Sequence, residues 1–169
     1  MKTSNNNLVS KTRLSFLRNQ GFYNMNDREL SEMAFGIRFA YKTCFSVLIF
    51  GIALANVPIL IGMMLMAFLG VVLPNHPFDY FYNYVLSKRM NKPKLPKRDT
   101  RLKFACTIAT IWIGATVFIF ASGSTIGGYI VGGSLLVAVF SVAFFDFCIP
   151  SVVYNWFSRP VIRNAQNQL

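Results

Sequence analysis

Reactive side chains are few in this chain, and they gather near the ends of apolar runs. Cys44 and Cys106 each lie just inside such a run, and Cys148 lies at the end of a third. His76 and Asp79 stand between two runs, and Asp146 is the only carboxylate inside one. Thiolates and imidazole bind soft metals and exchange disulfides. The spacing carries no metal motif, so no metal site and no cofactor are expected. The catalytic assignment stays open, with Cys148, Cys106, His76 and Asp146 as candidates. The plainer alternatives stand beside them: a buried Cys is a small hydrophobe, and His76 next to Pro77 suits a helix cap.

Asp146 needs separate treatment, because a charge within a membrane-length run is costly and often functional. Arg38 and Lys42 enter at the same depth, at i and i+4 on one helix face. The plain reading is an inter-helix ion pair with one of them, or a side chain snorkelling to the boundary. The sharper reading is a proton or substrate role.

The elements that must hold these groups follow from hydropathy. Of 169 residues, 54% are hydrophobic and 14% charged, with net charge +11; mean hydropathy is +0.44. Cys44 to Leu73 carries no charge at all. That run is too long for one spanning helix of about 20 residues and suits two joined by a turn. The sequence predicts an all-α membrane protein with four transmembrane helices, arranged as two in-out-in hairpins. Span one covers about Phe35 to Ala55, span two Pro58 to Leu73, span three Leu102 to Ala121 and span four Tyr129 to Ile149. The domain plan is a tail with the start of an amphipathic helix (1–33), a first hairpin (34–73), a cytoplasmic connection (74–101), a second hairpin (102–150) and an interfacial tail (151–169).

Local signals sharpen this plan. Val9 to Arg18 reads as a short helix. Asn26 and Glu29 form a capping box, with Met25 and Leu30 as a staple. Asn56-Val57-Pro58 and the SGSTIGG stretch at 122–128 are turns. Pro77 to Met90 reads as an interfacial helix with Phe78, Phe81, Tyr82, Val85 and Leu86 on one face. Asn91 to Lys103 is extended and rich in Lys and Arg. Val152 to Phe157 is amphipathic, and Pro160 breaks it. Gly128 and Gly132, with Ala105, Ala109 and Gly114, mark close helix contacts, within the second hairpin or between copies.

All 17 Lys and Arg lie in the N-terminal region, the central connection or the C-terminal tail. By the positive-inside rule both termini and the connection are cytoplasmic. The N-terminus lacks an apolar core and a cleavage pattern, so no signal peptide is expected. The basic run reads first as a topology determinant. Its sharper form is an anionic-lipid site using Arg38, Lys42, Lys88, Arg89, Lys92, Lys94, Lys97 and Arg98. Nucleic acid is disfavoured because no aromatic is interleaved with the Lys and Arg residues after Met90. Beyond the bilayer, the expected partner is a second copy or another membrane protein.

The hairpins share landmarks. Arg38-Phe39 with Cys44 opens one, and Arg101 with Phe104-Ala105-Cys106 opens the other. Phe78-Asp79-Tyr80 closes one and Phe145-Asp146-Phe147 the other. A duplication would be parallel, about an axis along the membrane normal.

The apolar hairpins, the Pro- and Arg-containing loop, Arg101 with Lys103-Phe104-Ala105, and Phe147-Cys148 together resemble the bacterial membrane proteins of domain of unknown function 4395. The resemblance covers about Phe35 to Phe157. It implies fold and inner-membrane location, and it brings no activity with it. Many members of that family carry a Cys-x-x-Cys where this chain has Cys148-Ile149-Pro150-Ser151. Three readings follow: an accessory or scaffold subunit acting through partners, a thiol- or metal-linked membrane enzyme at the cytoplasmic boundary, and an anionic-lipid-binding module.

Overall fold

The computed structural model describes residues 10–22 and 25–156. The basic residue Lys2, the end of the amphipathic piece at Phe157 and the break at Pro160 lie outside them. Among the described residues the regular structure is all helical. The helices are α1 (Lys11–Asn19), α2 (Asp27–Ala53), α3 (Val57–Val72), α4 (Pro77–Phe81), α5 (Ser87–Arg89), α6 (Thr100–Ala121) and α7 (Thr125–Phe145). A π-helical turn, Tyr82–Leu86, joins α4 to α5, and residues 149–156 are helical.

Three of these helices, α2, α6 and α7, are long and apolar enough to cross a membrane. The pair formed by α3 and the Pro77–Arg89 segment passes the same test together but is bent by 79°. By length and composition, the candidate spans among the described residues are therefore three, or four if that pair counts as one.

Helix starts follow the local chemistry. The Glu29 carboxylate accepts from the Asn26 N–H at 3.1 Å. Asn56 caps α3, its Oδ1 accepting from the Ile59 N–H at 3.0 Å, and Pro58 occupies a position where no N–H is needed. At the other end of the chain the expectation needs correcting. Apolar residues continue through Ile149, but α7 ends at Phe145, because Asp146 adopts a left-handed conformation (φ 60°). A short side chain that tolerates this conformation is a natural helix stop. The hairpin turn is also tighter than the glycines suggest, since α7 already begins at Thr125.

Helices α3 and α6 pack together, as do α2 and α7, so each helix of one hairpin faces a helix of the other. Gly132 lies against Ile52 of α2, and Gly128 against the Phe120 ring of α6. Both small residues are thus used inside the chain. A core between the long helices includes Leu48, Leu60, Met63, Ile113 and Leu135. A second core joins Leu14 and Leu17 of α1 to Leu30, Tyr82, Leu95 and Leu102.

The helix of residues 77–89 does not keep the expected stripe on one face. Tyr82 is buried, yet Phe81, Tyr84 and Val85 are exposed, and the inward face is Asp79, Asn83 and Ser87. Two causes act together. The π turn adds a residue to the helical repeat and rotates everything after it. The polar residues at i, i+4 and i+8 each take a partner from the returning loop. Asn83 and the Leu95 backbone exchange two hydrogen bonds, of 2.7 and 3.2 Å. Ser87 donates to the Lys92 carbonyl at 2.6 Å. Asp79 takes Arg98. The loop is therefore zipped antiparallel onto the helix, and its Arg98 N–H donates to the Pro74 carbonyl at 2.9 Å.

Candidate functional site

The site is built where that loop returns. His76 precedes α4, and its Nδ1 accepts from the Phe78 N–H at 3.3 Å. Its own N–H donates to Asp79 Oδ2 at 3.2 Å. Cap and first-turn carboxylate thus hold each other, with Pro77 between them. Arg98 meets the same carboxylate with one edge of its guanidinium, in a bidentate pair. Nε donates to Oδ2, and Nη2 donates to Oδ1 at 3.0 Å. Nη1 points to Cys106 Sγ at 3.6 Å, and the guanidinium lies 5.8 Å from the Tyr41 ring centroid.

Electrostatics fix the protonation states here. Burial pulls the His76 pKa from 6.5 to about 4; Arg98 adds to the fall and Asp79 opposes it. The imidazole is neutral at pH 7. Because Nδ1 accepts, its hydrogen sits on Nε2. Burial also works against the Arg98 charge, but the Asp79 carboxylate more than compensates and raises its pKa.

These groups form one end of a cavity of about 320 Å³. Its walls are apolar and come from α2, α3, α6 and α7, with Met63, Ala109, Trp112 and Val139 among them. Tyr41, Cys44, His76, Arg98, Cys106 and Cys148 supply the polar end. Gly70, packed against His76 and Cys106, leaves no room for a side chain. A Cβ there would come within 2.5 Å of His76 Cδ2 and 3.1 Å of Cys106 Sγ. The glycine lets His76 and Cys106 sit side by side.

The structure thus brings together Cys148, Cys106 and His76, along with Cys44, which the sequence placed at the same depth. It does not bring Asp146 with them. That carboxylate is bound by Arg38 through Nε at 2.8 Å and Nη2 at 2.6 Å. Lys42 instead lies 5.6 Å from the Phe144 ring centroid. Gln20 ties α1 into this pair, donating to the Asp146 carbonyl at 2.6 Å while accepting from the Tyr41 hydroxyl at 3.2 Å.

The remaining basic residues divide. Arg98 is buried, while Lys88, Arg89, Lys94 and Lys97 are exposed. Lys92 lies 4.3 Å from the Phe35 ring centroid. Tyr41 had no sequence signal, being one apolar-run aromatic among many. Arg98 was singled out only as one cation of a basic run, with nothing to mark its pairing with Asp79. The i, i+4, i+8 spacing of Asp79, Asn83 and Ser87 is the pattern that points to an inward polar face.

The two buried ion pairs are related. Arg38 opens the first hairpin and binds the Asp that closes the second. Arg98 precedes the second hairpin and binds the Asp that follows the first. The residue matching Arg38 is thus Arg98; Arg101 contacts Asp99 and the Asn19 carbonyl.

Long apolar helices, crossed ion pairs at one end and an apolar cavity above them define an all-helical class of membrane-protein architecture. The family model described as Domain of unknown function (DUF4395) matches residues 34–159, and the chain belongs to that family. No curated protein and no solved structure matches it.

Proposed function

We propose that the chain is a four-span protein of the bacterial inner membrane that holds a lipophilic molecule in this cavity, acting as an accessory subunit for a membrane partner. In this reading α2, α3, α6 and α7 cross the bilayer. The 77–89 helix lies at the cytoplasmic interface, with Phe81, Tyr84 and Val85 toward the acyl chains. Both termini are cytoplasmic. Support for the orientation comes from charge. The 17 Lys and Arg all fall on one side of the hairpins, and the turns at 54–56 and 122–124 have none. A reporter fused after Lys103 is expected to report the cytoplasm; a periplasmic signal overturns the orientation.

The cavity carries the binding reading. Its support is a half-open space of about 320 Å³, lined mostly by apolar side chains from four helices and by a few polar groups. The volume falls in the range of about 300–1,000 Å³ of small-molecule pockets. Trp112 lines the cavity and Trp156 is exposed, so a Trp156→Phe protein in nanodiscs has one emitter, at the site. A brominated lipophile such as 1-bromooctane is expected to quench Trp112 saturably. Ala109→Phe, which fills the wall, is expected to abolish the saturable part. Linear quenching that is identical in both proteins rejects the cavity as a binding site.

One observation favours a second reading, thiol chemistry at the same boundary: Cys44, Cys106 and Cys148 all line the cavity. Replacing all three by Ser leaves quenching saturable under the first reading. Loss of biological function with binding retained would favour the second.

A further inference from the structure

Resting on the cavity reading, we propose that the ligand is a neutral lipophile with a carbonyl oxygen, and that this oxygen is received by His76 Nε2–H and the unused N–H groups of the Arg98 guanidinium.

The donors are already in place. Arg98 has five N–H groups. Two go to Asp79 and one to Cys106, a weak acceptor, which leaves two unused among the described residues. Its side chain is only 8% exposed, and it lines the cavity, so water reaches it poorly. His76 uses Nδ1 for its helix cap, and that fixes the hydrogen on Nε2. The ring's Cδ2–Nε2 edge packs beside Gly70 and Cys106, and His76, Arg98 and Cys106 all line the cavity. Tyr41 is not a third donor, because its hydroxyl is committed to Gln20. Two residues with unused donors, from two segments, thus line one largely apolar cavity. A ligand acceptor that pairs with such donors away from bulk water gains accordingly.

Charge selects the acceptor. Asp79 already neutralises Arg98, and His76 carries no charge. An entering carboxylate or phosphate would bring a net charge into a chamber with apolar walls and meet Asp79 at close range. Its desolvation would not be repaid. A carbonyl accepts from both donors and brings no charge. This distinguishes the chamber from the exposed Lys and Arg of the loop, which suit anionic headgroups at the surface.

Geometry also sets the scale of the ligand. Trp112 is six residues along α6 from Cys106, about 9 Å at 1.5 Å per residue. An eight-carbon chain with its carbonyl at Arg98 and a bromine at its far end places the quencher near Trp112.

The test titrates 1-bromooctane, 8-bromo-2-octanone and 8-bromooctanoate into Trp156→Phe protein in nanodiscs, with affinity expressed as mole fraction in the lipid. The ketone is expected to bind at least about tenfold tighter than the bromoalkane, and the carboxylate more weakly than the ketone. His76→Asn keeps a capping oxygen for the Phe78 N–H but removes the Nε2 donor. It is expected to bring the ketone close to the bromoalkane while leaving the bromoalkane unchanged. Equal binding of ketone and bromoalkane overturns the carbonyl assignment and leaves the cavity reading standing. Tightest binding by the carboxylate replaces it with an anionic ligand. Saturable quenching by none of the three rejects the cavity reading itself.

Discussion

Asp79→Ala is expected to destabilise the protein by about 3–5 kcal/mol, the usual cost of breaking a buried ion pair from one side. Both side chains are almost fully enclosed, with 8% of Arg98 and 4% of Asp79 exposed. Arg98 cannot discharge itself by losing a proton, because an arginine remains charged under any working condition. Removing the carboxylate therefore strands a cation beside apolar walls. It also removes the acceptor for the His76 N–H and with it half of the α4 cap. Asp79→Asn retains an acceptor but no charge, so it is expected to fall between wild type and Asp79→Ala. The double variant Asp79→Leu with Arg98→Met removes both charges at similar volume and is expected to recover most of the loss. The measurement is a denaturant titration of the detergent-solubilised protein, followed by helical signal. A loss below about 1 kcal/mol for Asp79→Ala, the value typical of solvated surface pairs, would show that water reaches Arg98 and that the pair is not a structural brace.

How much of this could be read from the sequence depends on the range over which each cause acts. Long apolar runs declare themselves, so α2, α3, α6 and α7 fall close to the expected spans. Caps are set by neighbours two or three residues apart, so the Asn26 and His76 starts were legible. Depth was legible too, because topology alone puts Cys44, Cys106, Cys148 and His76 at one level. What failed was anything set by the returning loop. A run of Lys and Arg looks solvated throughout, and nothing local marks Arg98 as the member that turns inward. The 77–89 helix was read only in part for a related reason. Its aromatics fit a 3.6-residue stripe, but the π turn at Tyr82–Leu86 breaks that repeat, and Asp79, Asn83 and Ser87 are drawn in by loop partners. The end of span four was overshot because hydropathy runs through Ile149, whereas a single left-handed Asp146 stops the helix.

Asp146 also defines the second large effect. Arg38→Ala is expected to cost about 3 kcal/mol, near the lower end of the range for breaking a buried pair. The lower figure follows from asymmetry. Asp146 is 1% exposed, but Arg38 is 20% exposed, so some solvent already screens the pair. Lys42 offers no substitute at this carboxylate, since its ammonium is directed to the Phe144 ring. Arg38→Lys is expected to restore only part of the loss. A lysine supplies a point charge, whereas the guanidinium supplies two parallel hydrogen bonds that match the carboxylate. The decisive control is Asp146→Asn placed in the Arg38→Ala background. Asparagine tolerates the left-handed backbone at this position, so the change tests charge and not conformation. It is expected to return most of the stability, because a neutral amide need not be paired with a cation. The Gln20 side chain should remain docked in that double variant, since it binds the backbone carbonyl of residue 146 and not its side chain. If the double variant is instead as unstable as Arg38→Ala, the cost lies in lost packing of the Arg38 stem between α2 and the end of α7, and the crossed ion pairs are not what clamps the two hairpins together.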